Sequence, residues 1–145
     1  MKDLEENKNS IKYSYFESEE LDKFLNAVLT VGLDLDKEWF FTLAFSGMRP
    51  GELVALKKSD LDFNKNTIRI SKTLYSEKNN MKEYMPDTTK TNRSRIIDMD
   101  ESIMKMLKQL VRSNDRHKMK YRTGIEDFHD EDFIFQRSNG YVFRK

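Results

Sequence analysis

Apolar positions recur at helical spacing through the first third of the chain and then change period. Leu21, Phe24, Leu25, Val28 and Leu29 form one stripe on an otherwise polar stretch, which predicts an amphipathic helix. Ser18 is a candidate N-cap for it, Glu19 and Glu20 suit its positive end, and Gly32 closes it. Asp34 or Asp36 opens a second helix containing Trp39-Phe40-Phe41-Thr42-Leu43-Ala44-Phe45, a run so apolar that burial on most sides is expected. Gly47 can take the left-handed backbone that ends this helix. Pro50 suits the first turn of the next, where its missing N–H costs nothing. Leu53 and Leu56 then give the third helix an inward stripe.

After Lys57-Lys58 the texture is that of strands and turns. Residues 59–66 are turn-rich, with Leu61 and Phe63 as anchors. The segment 67–73 alternates apolar and polar like a half-buried strand. Residues 76–83 read as a loose connection. Residues 84–89 and 94–99 flank a polar turn and predict a hairpin, with Pro86 restricting its first strand to an edge or bulge. Asp100 can cap a further helix burying Ile103, Met104, Leu107, Leu110 and Val111, in which methionine serves as adaptable core filler. Residues 112–126 carry no clear pattern. Phe133-Ile134-Phe135 is a short apolar run, Ser138-Asn139-Gly140 a turn, and Tyr141-Val142-Phe143 starts another element. The fold class is therefore mainly α with a small three-stranded antiparallel β-sheet. Residues 1–14 read as a tail or interdomain linker, and 15–145 as a domain that is itself partial.

Arg49 lies in the elbow between the second and third helices, where the core fixes its backbone. A guanidinium beside the amides of a helix start is a good phosphate receptor, and Glu52, one turn on, can hold it. Composition sharpens this only locally. The net charge is +1, but residues 1–40 carry 5 Lys/Arg against 10 Asp/Glu, whereas residues 57–95 carry 10 against 5. A basic middle in a neutral chain points to one anion-binding face. There is no cysteine, and His117 and His129 show no ligand spacing, so neither a thiolate nor a histidine metal site is expected. The acidic cluster at 126–132 lacks the glycine turn of a calcium loop and reads as surface. No apolar run has the length of a membrane span and the start is not a signal peptide, so a cytoplasmic protein is expected.

The stretch Ser46-Gly47-Met48-Arg49-Pro50-Gly51-Glu52-Leu53 resembles the first arginine box of the tyrosine recombinase, or phage integrase, family, written Thr-Gly-x-Arg-x-x-Glu-Leu. Ser46 stands in for the threonine. Residues 15–21 resemble the family's entry into its catalytic domain, and residues 53–62 the segment leading to its first strand. Thr88-Thr89-Lys90-Thr91-Asn92-Arg93-Ser94-Arg95 resembles its lysine hairpin. The similarity runs in order from about Tyr15 to the C-terminus.

The resemblance implies a site-specific recombinase, the integrase of a phage or mobile element, that joins DNA through a covalent 3′-phosphotyrosine, with no metal or nucleotide cofactor. It implies that Arg49 binds the scissile phosphate, that Glu52 supports it, and that Lys90 protonates the leaving 5′ oxygen. Arg93, Arg95 and Lys72 are candidate DNA-backbone contacts, and Lys57 and Lys58 further ones. The implied partners are double-stranded DNA and other protomers, in a tetramer on DNA. The family's His-x-x-Arg box and nucleophilic tyrosine are not identifiable: position 120 is Lys, position 132 is Asp, and Tyr141 reads as packing. The expectation is that these residues alone do not cut DNA. Two rival readings are a recombinase-derived DNA-binding module without catalysis, and a helical interaction protein with an incidental basic middle.

Overall fold

Glu17, not Ser18, caps the first helix, because its backbone N–H is met by the Glu20 carboxylate at 3.0 Å. That helix is α1 (Ser18–Val31). The computed structural model describes residues 16–75, 85–88 and 93–143, and the chain divides into two compact units, Met1–Lys37 and Glu38–Lys145. The division falls inside the stretch that the sequence reads as one domain. In the first unit Phe16 stacks on Phe24, and the Leu33 amide donates to Asp36 at 2.7 Å.

The second helix, α2 (Asp36–Ser46), is less buried than its composition predicts. Trp39 and Thr42 are buried, Phe40, Phe41 and Leu43 are half-buried, and Phe45 is exposed. A helix in contact with one core buries one face. The surplus apolar residues shield each other instead, as in the stacked rings of Phe41 and Phe45. Trp39 meets Phe135 edge-to-face at 5.3 Å and Phe143 at 6.4 Å. Gly47 then takes φ +65° and its N–H closes on Leu43, as expected of a left-handed helix end. Pro50 opens α3 (Pro50–Val54), which is only five residues long. Leu53 and Leu56 are both buried as predicted, although Leu56 lies past the helix end.

The strands pair differently from the predicted hairpin. Strands β1 (Leu61–Asp62), β2 (Thr67–Ile70) and β5 (Arg95–Asp98) make a three-stranded antiparallel sheet in the order β1-β2-β5. The separate pair β3 (Lys72–Tyr75) and β4 (Met85–Thr88) is also antiparallel. The predicted strand over 67–73 is thus broken at Ser71, and its two halves take different partners. The turn-rich segment 59–66 supplies the third strand of the larger sheet. Gly51 lets the smaller sheet come close to the elbow: a Cβ there would lie 2.5 Å from the Thr73 hydroxyl oxygen, so any side chain on α3 at this point would have to displace that of Thr73 on β3.

Asp100 caps α4 (Glu101–Tyr121), accepting from the Ser102 amide at 2.8 Å. The helix buries Ile103, Met104, Leu107 and Val111, with Leu110 half-buried. It continues through the polar residues 112–121, where the sequence shows no pattern, because side-chain bonds hold it there. Asn114 donates to the Ile134 carbonyl at 2.9 Å, and His117 Nε2 donates to that of Ser138 at 2.8 Å. Met48, Met99 and Met104 fill the core, while Met119 is exposed. Phe133, Ile134 and Phe135 thread the core edge, the Ile134 amide bonding Leu56. The chain then turns at Gly140, φ +82°, and returns through buried Val142. Among the described residues no helix is long and apolar enough to cross a membrane.

Candidate active site

Arg49 is the N-cap of α3, between buried Met48 and buried Leu53, so its backbone is fixed by the core while its side chain stays 68% exposed. Five residues make a weak helix dipole, so the guanidinium, more than the helix start, carries any anion affinity. Glu52 sits beneath, 2% exposed. Its Oε2 accepts the Arg49 backbone N–H at 3.0 Å, the reciprocal half of a capping box. Its Oε1 stands 4.0 Å from Arg49 Nη1, at the outer edge of an ion pair. The carboxylate therefore grips the Arg49 backbone more firmly than its guanidinium.

The firmest partner of Glu52 is Arg95. Arg95 Nη1 donates to Oε1 at 3.1 Å and Nη2 to Oε2 at 2.8 Å, a fork-on-fork pair between β5 and the elbow. Ile70 and Arg95 are register partners, as are Ile68 and Ile97, so Arg95 lies on the sheet face that carries buried Ile68 and Ile70. Ile96, on the opposite face, is exposed. Hydrogen bonding from Arg95 holds the Glu52 carboxyl below its ordinary value of 4.5 against the opposing effect of burial, and the Arg49 amide adds to the lowering. The Arg95 guanidinium is raised in turn, chiefly by the same bonds.

A folded-state pKa below the unfolded value gives stability that is present at neutral pH and is lost as pH falls through the lowered value. Glu52→Gln should lower stability at pH 7 by about 2 kcal/mol, the scale of hydrogen bonds to a charged group. The native-minus-variant difference in urea midpoint should shrink as pH drops below about 4.5. A difference that stays constant with pH would show that folding does not shift the Glu52 pKa.

Of the other predicted residues, Lys57 and Lys58 have partners within the fold. Lys57 pairs with Glu131 at 2.5 Å and lies over the Phe133 ring, and Lys58 pairs with Asp115 at 2.7 Å. Both lysines thus meet carboxylates of their own fold. The acidic cluster is correspondingly occupied: Lys118 bonds Asp130 and Asp132, and Arg122 joins Asp130. Lys72, exposed, begins β3, and Arg93, exposed, precedes β5 on the same chain segment as Arg95. Lys90 lies outside the described residues. Tyr141 stacks on His129 at 4.3 Å and donates its hydroxyl to Asp127 at 3.0 Å. That bond pushes its pKa up, the reverse of activating a nucleophile. Among the described residues no group of three His, Cys, Asp or Glu converges as metal ligands would. The Glu52–Arg95 pair is what sequence reasoning missed. The available signal was alternation, which puts Arg95 on the face of Ile97 rather than with Ile96.

A model of the phage integrase family matches residues 14–142. A tyrosine recombinase XerC-like protein of Caldanaerobacter subterraneus subsp. tengcongensis is 31% identical over 148 aligned positions, covering 95% of this chain and 34% of that protein. The integrase of Staphylococcus phage L54a is 36% identical over 98 positions, 67% of this chain and 27% of its own length. The chain thus spans about a third of the length of the curated relatives it matches. Among solved structures, the Tn1549 transposon integrase in complex with a circular intermediate DNA superposes with a TM-score of 0.64 at 24% identity, over 89% of this chain and 39% of that one. The XerA recombinase does so at 0.56 and 22% identity, over 89% and 37%. At these identities the structural likeness is one of fold.

Proposed function

Because the chain belongs to the phage integrase family of tyrosine recombinases, which cleave and rejoin DNA, we propose that it supplies part of the catalytic centre of a site-specific recombinase serving a phage or mobile element. The observation that carries this reading is Arg49: an exposed guanidinium on a backbone fixed by the core, anchored to a buried carboxylate. In the full-length enzyme a tyrosine from outside these residues attacks the DNA phosphorus. The new tyrosyl O–P bond forms as the bond to the 5′ oxygen breaks, and Lys90 gives that oxygen its proton. Arg49 neutralises the charge that builds on the non-bridging oxygens, and Glu52 fixes the backbone from which Arg49 reaches. Arg93 and Lys72 contact the DNA backbone. The setting is the cytoplasm, with duplex DNA and further protomers as partners in a tetramer, and neither metal nor nucleotide takes part.

Titration of the 145-residue chain with duplex DNA tests this. Contacts from Arg49, Lys72, Lys90 and Arg93 predict weak binding whose log affinity falls against log salt with a slope of about −3.6. Binding that ignores salt would sink the reading. The alternative is a recombinase-derived DNA-binding module without catalysis. A covalent adduct formed by the full-length protein on a suicide substrate separates the two.

A further inference from the structure

Arg95 looks at first like one more phosphate contact on a basic segment. The geometry gives it a different role, and we propose that Arg95 is a positioning residue, which fixes Glu52 by its two-pronged contact and through Glu52 fixes the Arg49 backbone from β5. This rests on the phosphate-binding reading of Arg49 given above.

Three features carry the proposal. Both terminal nitrogens of Arg95 are committed to Glu52, at 3.1 and 2.8 Å. The carboxylate they hold is 2% exposed and has the Arg49 amide as its remaining close donor among the described contacts. Turning Arg95 toward a DNA phosphate would strand that buried anion, which costs more than a surface phosphate contact returns. Finally, Arg95 stands opposite Ile70, whose side chain is buried, so the strand it comes from is tied into the core. Elbow and sheet lie 43 residues apart in sequence, and this pair fastens one to the other. A lysine would keep the charge and lose the fork.

The test compares native chain, Arg95→Lys and Arg95→Ala. Two readouts are needed, one without DNA. In ¹H–¹⁵N and side-chain ¹³C spectra of the free chain, both variants should shift the Arg49 amide and raise the Glu52 titration midpoint, while the Ile68 and Val142 amides stay in place. On duplex DNA both variants should weaken binding alike, by about ten-fold, the lower end of what losing an orienting partner costs at other sites. The slope of log affinity against log salt should be unchanged. Arg95→Lys binding like native, or a slope reduced by about one in Arg95→Ala, would mean that Arg95 touches phosphate itself and would overturn the proposal. An unmoved Arg49 amide and Glu52 midpoint in Arg95→Lys would overturn it whatever the DNA result. If the native chain binds no DNA, the functional reading fails while the spectra still decide whether the clamp exists. Should Arg95→Ala not fold, Arg95→Lys alone gives both readouts.

Discussion

Arg49→Ala in the full-length recombinase should reduce covalent adduct on a suicide substrate by about 10²–10³-fold, the loss typical when one preorganised donor to a developing anion is removed. Stability should hardly change. The side chain is 68% exposed, and its 4.0 Å approach to Glu52 is too long and too solvated to contribute much. The Glu52 contact that shapes the elbow is made to the backbone N–H, which alanine keeps. A melting curve like that of the native protein, with adduct lost, is therefore the expected pair of results. Arg49→Lys should fall between the two, since it restores charge without the planar fork that matches phosphate oxygens. Native adduct levels in Arg49→Ala would remove the assigned role.

The elements that sequence made legible are those whose punctuation is local. Gly47 at positive φ, Pro50 at a helix start and Asp100 on the Ser102 amide each follow from one residue's conformational or hydrogen-bonding preference, and each stands where expected. The inward stripe of α4 was equally plain, because Ile103, Met104, Leu107 and Val111 repeat at helical spacing. Strand partnership was not, because it depends on residues far apart. Nothing in 67–73 says that Ile70 and Lys72 join different sheets, and the two-residue strand at Leu61 is too short to show a period. The helix beyond Val111 escaped for a related reason: its support comes from Ile134 and Ser138 carbonyls supplied by the chain's return.

The candidate site divides the same way. Arg49 and Glu52 are three residues apart and could be read together. Arg95 could be named from its charge, but its role depends on which face of β5 it occupies and on a carboxylate from another element. Lys57 and Lys58 show the converse dependence on the fold. A run of basic residues looks available to DNA until the fold brings Glu131 and Asp115 against it. Charge in sequence counts donors, and only the fold says which are already taken.

Phe135→Ala should be the most damaging single change to the fold itself, costing about 3–5 kcal/mol. The ring is fully buried and meets Trp39 edge-to-face at 5.3 Å, so truncation removes apolar burial, opens a cavity and loses an aromatic pair. Trp39 belongs to α2, the helix that ends at Gly47 and delivers the chain to Arg49. Slack under Trp39 therefore reaches the elbow. A small domain has only about 5–15 kcal/mol in hand, so the urea midpoint should drop by a large fraction and DNA affinity should fall with the folded population. Phe135→Leu, which keeps most of the volume, should recover the greater part of both. If Phe135→Ala unfolds at the native urea concentration, Phe135 is not part of the core that holds the elbow, and the mechanical link from the chain's return to Arg49 is lost with it.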